Sequence, residues 1–427
     1  MQRGRNTNPT PTALRSFLLT DALVQLAELC ALVVLPWWVT SITGASGLAI
    51  YGTSLAVAML LAVTLASPFG DRICKARQIR LGLAAMLGVA LAYWLIAALG
   101  LFSLPLLIAL ALAQALTTAF VDQARSTILA ELVPADQLPD AIRLRKTCQS
   151  LSGIGGPLLA GLALGLGGVE GALGVYAMLL LLAIVCATRI PIQTTASSTR
   201  RVDFAQWWQA LRGGMAAKWH VPMERGWTLV NFVVWIFQGP AVGILIPIKV
   251  HALGLTGNWL GICLGALSLG VLVGSMFGSQ FLVDQFGRYR VRLGLGFCEG
   301  MALTVVGFAS SPYLMVAGLA LTGFCNASMG LVGATHRALA IPQTHRVRIF
   351  AASSMATQVA GAIGPALVGM AMARWSVDAV YTAFGLLMAI SVLGFLWVPR
   401  LKEFLSLEHE QVVDWYLHQY PKEFSKK

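Results

Sequence analysis

The sequence predicts an all-α integral membrane protein of twelve transmembrane helices, built as two parallel six-helix repeats with both termini cytoplasmic. Three observations predict it. The 427 residues are 57% hydrophobic and only 11% charged, with a mean hydropathy of +0.75. Soluble domains carry roughly 25% charged residues, so this composition cannot clothe a surface in water. Twelve stretches have the apolar length of a bilayer span, roughly 20 residues for a hydrocarbon core of about 30 Å. Landmarks of the first six stretches return in the last six at a nearly constant offset.

In chain order the spans are expected near 16–39, 46–68, 79–101, 104–126, 148–168, 171–189, 226–248, 258–280, 291–310, 313–334, 350–371 and 377–398. The first contains Asp21 and Glu28 and is closed by no small-residue cleavage site, so it reads as a retained helix and not a signal peptide. Connections are short except for a polar, basic central loop, 190–225. That loop divides an N-terminal bundle (1–189) from a C-terminal bundle (226–399), and a tail of mixed charge follows (400–427). The stretch QTTASSTRR (193–201) reads as flexible linker, and the tail could form a short cytoplasmic amphipathic helix.

Orientation follows from the basic residues, which stay on the cytoplasmic side. With the N-terminus inside, 28 of the 30 Lys and Arg fall on cytoplasmic segments, leaving Lys249 and Arg374 outside. The net charge of +12 is therefore a topology signal toward an anionic leaflet, and no nucleic-acid partner is needed to explain it. Trp37 and Trp38 at the outer end of the first span read as interfacial anchors. Seven cysteines and six histidines show no CxxC or Cys/His ligand spacing. No metal, cofactor or disulfide framework is expected, and no enzymatic constellation is present to suggest catalysis.

The repeat is written in motifs. SPFGDRICKARQIRLG (67–82) returns as SQFLVDQFGRYRVRLG (279–294), matching Asp71 with Asp284. Pro36 matches Pro247, and Pro157 of GPLLAG matches Pro365 of GPALVG; the three offsets are 213, 211 and 208 residues. Both copies begin inside, so the repeats are parallel, related by an axis along the membrane normal.

On these motifs the chain resembles the major facilitator superfamily over essentially its whole length. The family's loop motif, Gly-x-x-x-Asp-Arg-x-Gly-Arg-Arg, falls on Ser67, Asp71, Arg72, Cys74, Lys75 and Ala76, with Arg77 following; Ser67 and Cys74 replace its glycines. The second copy keeps Asp284, Gly287 and Arg288. The resemblance implies a conformational latch, in which a carboxylate at one helix end pairs with neighbouring arginines and faces a helix N-terminus. The alternative, a turn that only fixes orientation, stays open. SGIGGPLLAG resembles the family's fifth-helix signature, which implies export by antiport; Gly156, Pro157, Gly161 and their counterparts Gly364, Pro365 and Gly369 form the helix-packing motif. LPWWVTSITGAS (35–46), ILAELVPADQLPDA (128–141) and RIPIQ (189–193) resemble, more narrowly, the branch holding macrolide-efflux proteins and the enterobactin exporter.

Ionisable residues inside spans are expensive and point to function. Asp21, Gln25 and Glu28 lie at i, i+4 and i+7, on one face of the first span. The family lines its central cavity with helices 1, 4, 7 and 10, so this face is expected to look into that cavity. Glu28 and Asp21 are the proton-coupling candidates, with a neutral structural carboxyl as the other reading of Glu28 and a pair with Arg15 or Arg125 as that of Asp21. Asp122 and Arg125 are spaced for a local pair. With Gln25, Asn231, Trp235, Gln238 and Asn326 they make up the substrate-cavity candidates. Glu299, on a helix the family places peripherally, is expected to be structural.

The expected function is secondary active export of a small amphipathic molecule, a drug or a siderophore-like metabolite, by proton antiport with alternating access. Its partners would be the substrate, protons as coupling ion and membrane lipids, in a monomer of the bacterial inner membrane. An importer or lysophospholipid flippase of the same fold, and a non-transporting membrane sensor, are the alternatives.

Overall fold

The computed structural model describes residues 11–66, 74–133, 137–191, 218–412 and 415–421. The linker at 193–201 and the latch residues Asp71 and Arg72 lie outside the described residues.

Among the described residues, ten helices are long and apolar enough to cross a membrane. Two are far longer than one crossing needs, Thr12–Met59 with 48 residues and Ala141–Ala187 with 47. At 1.5 Å per residue either would reach about 70 Å if straight, over twice a hydrocarbon core. Neither is straight. Helix α1 (Pro11–Ala66) breaks at Gly44 (φ 68°, ψ −161°) and the 50-residue helix Leu138–Ala187 breaks at Gly168 (φ 60°, ψ −160°). Only glycine visits that backbone region at no steric cost. The breaks fall between the spans expected at 16–39 and 46–68, and between those at 148–168 and 171–189. Each consumes a single residue, so helical hydrogen bonding resumes at once and ten elements stand where twelve were expected.

The remaining elements run α2 (Lys75–Ala98), α3 (Leu104–Thr127), α4 (Leu129–Leu132), α5 (Leu138–Ala187), α6 (Pro222–Val242), α7 (Leu245–Ala252), α8 (Gly257–Val273), α9 (Ser279–Phe286), α10 (Arg288–Phe308), α11 (Pro312–Ala340), α12 (Gln343–Met372) and α13 (Val377–Val392). The span expected at 226–248 is two helices, because α6 ends at Gly243 just beyond Pro240. The tail forms three short helices, α14 (Leu401–Ser406), α15 (His409–Val412) and α16 (Trp415–Gln419). Large apolar side chains stand exposed along the long helices, Leu166 at 90% and Phe308 at 69% for example, which suits a surface solvated by lipid.

The chain forms two compact units, residues 1–39 with 57–201, and 40–56 with 202–427. In unit 1, Gln78 of α2 donates to the Phe120 carbonyl of α3 (2.8 Å). Arg80 closes the end of α5, donating to the carbonyls of Ala187 (3.0 Å), Thr188 (2.9 Å) and Ile190 (2.5 Å). Trp38 is buried and stacks edge-on against Phe102 at 5.6 Å, so packing inside the unit claims a ring expected at the lipid interface. In unit 2, α10 and α13 pack through small residues: a Cβ at Gly300 would meet the Ala389 backbone at 2.6 Å, and one at Gly307 the Thr382 backbone at 2.5 Å. Lys249, expected on an outer segment, is fully buried and donates to Asp378 (2.6 Å) and to the Gly307 carbonyl (2.9 Å).

Candidate functional site

Unit 1 gathers three carboxylates around two guanidinium groups. Arg125, near the C-terminal end of α3 and 3% exposed, donates to Asp21 through Nε (2.8 Å), to Asp122 through Nη1 (2.8 Å) and to Glu28 through Nη1 (3.3 Å). Arg145 of α5 grips both oxygens of Asp21 (2.9 and 3.0 Å), and Gln149 one turn on adds a further bond (3.1 Å). The heptad step from Asp21 to Glu28 brings both acids to the same guanidinium, and the i,i+3 step holds Asp122 beside it.

The three acids are not equivalent. Asp21 is 1% exposed and accepts four side-chain hydrogen bonds, so its lone pairs are spent. Glu28 has one long contact and is 20% exposed; Asp122 is 54% exposed. Three acids against two guanidiniums leave one negative charge, and the residue least committed to a partner is Glu28. The fifth-helix motif abuts it. A Cβ on Gly156 would meet Leu29 at 2.7 Å and the Leu26 carbonyl at 3.3 Å, and Ser152 donates to the Ala22 carbonyl (3.2 Å). Pro157 and Gly161 are buried on the same helix, while Gln25 is half-buried.

Unit 2 holds a second cluster that the sequence reading missed. Glu224 of α6 is fully buried, gripped by Arg337 of α11 through two bonds of 2.8 Å. Tyr416 of the tail donates its hydroxyl to the same carboxylate at 2.6 Å, and the Lys218 ammonium lies 3.7 Å away. Ser353 accepts hydrogen bonds from both Lys218 and Arg337. Burial pulls the Lys218 amine down to about 8, against the attraction of Glu224 and with repulsion from Arg337; burial pushes the Tyr416 phenol well up. Lys218, Trp227, Asn231, Trp235, Arg292 and Arg337 line a cavity of about 200 Å³ in this unit.

The other predicted residues divide. Asn231 bridges the Trp227 carbonyl (2.8 Å) and Arg292 (3.1 Å), and Trp235 is 38% exposed at the cavity. Gln238 and Asn326, expected to offer amides to a ligand, both donate to buried Glu299 instead, Asn326 at 3.2 Å. Gly364 packs on α6, where a Cβ would meet the Ile236 carbonyl at 2.7 Å; one on Gly369 would meet Ala49 at 2.7 Å, and Pro365 is buried between them. Of the latch, Lys75 is half-buried and Arg77 exposed. Asp284 is exposed, and Arg288 donates to the Leu407 carbonyl (3.2 Å), so the two are not paired. None of the seven cysteines is in a disulfide, and among the described residues no group of His, Cys, Asp and Glu gathers as metal ligands.

Membrane-length helices that bury polar clusters of this kind define a multi-pass membrane transporter, and the comparisons agree. Residues 17–298 and 227–415 match the profile of the Major Facilitator Superfamily, and the chain belongs to that superfamily. The peptide transporter POT in complex with sulfate superposes with a TM-score of 0.70 at 12% identity, covering 95% of this chain and 98% of that one. A mutant of the nucleoside transporter NupG gives 0.69 at 12% identity, covering 91% and 100%. A POT family transporter in complex with 5-aminolevulinic acid gives 0.68 at 12% identity, covering 93% and 98%. At such identity the likeness is one of fold. No curated protein sequence matches the chain.

Proposed function

We propose that the protein is a secondary active exporter of small amphipathic molecules, driven by antiport of one proton per cycle through alternating access. Its chain would cross the bilayer twelve times, counting α1 and α5 as two passes each about Gly44 and Gly168. The observation that carries the reading is the unit 1 cluster, where three carboxylates share two guanidiniums and leave a single uncompensated charge. One proton neutralises it.

Glu28 is the group for that proton. Its contact to Arg125 is the longest in the cluster, and its loss leaves Arg125 still bonded to Asp21 and Asp122. Asp21 is the anchor: with four bonds it fixes Arg125 and Arg145 whether or not Glu28 is charged. Gly156 sets α5 directly against the turn that carries Glu28, so protonation there would be felt as a change in helix packing. The resemblance of this motif to the antiporter signature supports export as the direction, and the bias of basic residues to one set of segments supports termini inside the cell; the membrane we propose is the bacterial inner membrane.

The test uses everted vesicles bearing the full chain and a panel of positive, neutral and negative amphipathic fluorophores. At least one fluorophore is expected to accumulate on acidification of the lumen, and Glu28→Gln is expected to remove that accumulation while leaving counterflow of the same fluorophore. Accumulation unchanged in Glu28→Gln overturns the assignment.

A further inference from the structure

The cavity of unit 2 carries an imbalance that its own side chains do not resolve. Lys218, Arg292 and Arg337 line it with no carboxylate among its lining residues; Glu224 lies against Lys218 and Arg337, and Glu299 acts on Arg292 from further along its helix. The Glu224 carboxylate is already saturated by Arg337, Lys218 and the Tyr416 hydroxyl. Arg292 is 4% exposed and makes no ion pair among the described residues; the acid that acts on it, Glu299 seven residues on, is itself bound by Gln238 and Asn326. Its terminal nitrogens donate to two neutral acceptors, the Met329 carbonyl (3.1 Å) and the Asn231 amide oxygen (3.1 Å), and its Nε has no partner among the described residues. A buried guanidinium with no direct ion pair and an unpartnered Nε is costly, and a counter-charge bound in the cavity would offset that cost.

The arrangement around it is built rather than incidental. The guanidinium lies 4.4 Å from the Trp227 ring centre and 4.8 Å from that of Phe395, capping a pair of rings that pack edge-on 5.4 Å apart. That approach depends on Gly333, where a Cβ would meet the Trp227 ring at 2.6 Å and Arg292 at 3.1 Å. Three residues earlier on the same helix, Gly330 lines the cavity and faces open space, with nothing within 4 Å of an added Cβ. A volume of about 200 Å³ is below that of a drug-sized pocket, roughly 300–1,000 Å³, and suits one or two fused rings with one charged group.

We infer that this cavity is an oxyanion subsite, in which Arg292 and Lys218 hold the carboxylate, sulfonate or phosphate of a small aromatic molecule whose ring lies against Trp235. It names the substrate class of the transporter and so rests on the reading of the chain as a carrier. Trp235 supplies an exposed aromatic wall and Arg292 an unspent donor. The occupant is a soluble aromatic anion, which fills the cavity with its ring as well as its charge.

Binding to the detergent-solubilised full chain tests this, with 1-naphthalenesulfonate as probe and 1-naphthylmethylammonium as its cationic match. The anion is expected to bind and the cation not. Arg292→Gln and Lys218→Gln should each weaken the anion about tenfold or more, the scale of a lost hydrogen bond to a charged group, with partial recovery in Arg292→Lys. Gly330→Leu starts from a position where a Cβ meets nothing within 4 Å and projects into the cavity, so it should abolish binding in a protein that elutes as wild type. Equal binding of the cation, or binding indifferent to Gly330→Leu, overturns the subsite. So does displacement by phosphatidylglycerol but not by benzenesulfonate, which would make the seat one for a lipid headgroup. Proton-driven movement of a cationic fluorophore with no binding of the sulfonate sinks the subsite and spares the carrier; Gly330-sensitive binding in a chain that moves no fluorophore does the reverse.

Discussion

The charge count in unit 1 fixes a number that transport can measure. Asp21, Glu28 and Asp122 face Arg125 and Arg145, so the proposed antiport is expected to carry one proton per cycle. A pH unit is worth 1.36 kcal/mol per proton, a tenfold gradient. With the membrane potential clamped to zero and a pH difference of 1.5 across proteoliposomes, a fluorophore with pH-independent charge should plateau at about 30-fold accumulation. Two protons per cycle would give about 1,000-fold. Glu28→Gln keeps a hydrogen-bonding group of the same shape beside Arg125 but cannot exchange a proton. Its plateau should fall to unity while exchange of external label against internal fluorophore continues. The assay is the plateau, not the initial rate, because a slowed carrier still reaches its thermodynamic limit. A wild-type plateau near 1,000-fold refutes the single-proton count, and a variant plateau near 30-fold removes Glu28 from coupling.

Three further outcomes follow from the same geometry. Asp21→Asn strips charge from a buried carboxylate bound by the buried Arg125 and the half-buried Arg145, and breaking a buried pair costs about 3–5 kcal/mol; thermal unfolding in detergent should show a clear loss for Asp21→Asn and little change for Glu28→Gln. Lys218 faces Glu224, Arg337 and Ser353 and is held to about 8 by burial, so it is charged below that pH and neutral above it. Affinity for 1-naphthalenesulfonate should therefore fall between pH 7 and pH 9, and the fall should flatten in Lys218→Gln. Tyr416→Phe deletes one hydrogen bond to a buried carboxylate, worth about 1.5–3 kcal/mol, and should lower the unfolding temperature without changing coupling; an unchanged transition would show that the hydroxyl contributes nothing there.

Much of the unit 1 site was legible because its spacing is local. The heptad from Asp21 to Glu28 and the three-residue step from Asp122 to Arg125 can be read on a single helix, and one guanidinium then satisfies both patterns. Arg145 and Gln149 were not legible, since they reach Asp21 across 124 and 128 residues of sequence, and Arg145 counted only as a cytoplasmic charge. The unit 2 cluster was hidden by topology counting. Lys218 and Glu224 sat inside a stretch read as polar loop, and Arg337 counted only as a cytoplasmic charge. One signal was present: Arg125 and Arg337 lie 212 residues apart, on the offset of the repeat, and each pairs with an acid of the first long helix of its unit. Gln238 and Asn326 misled for the opposite reason. Amides on apolar faces can serve a ligand or a buried acid, and only the position of Glu299 decides between them.

Glu224 and the Tyr416 hydroxyl that bonds it are separated by 192 residues. At a synthesis rate of about 5–20 residues per second, the acid is made roughly 10–40 seconds before its last partner exists. Maturation of the C-terminal half thus has a final act that follows synthesis of nearly all the chain, when Trp415 and Tyr416 stack on Phe404 and seal the carboxylate. Trimming the terminus, or fusing a bulky reporter close behind residue 416, would spare insertion yet leave that closing stage undone.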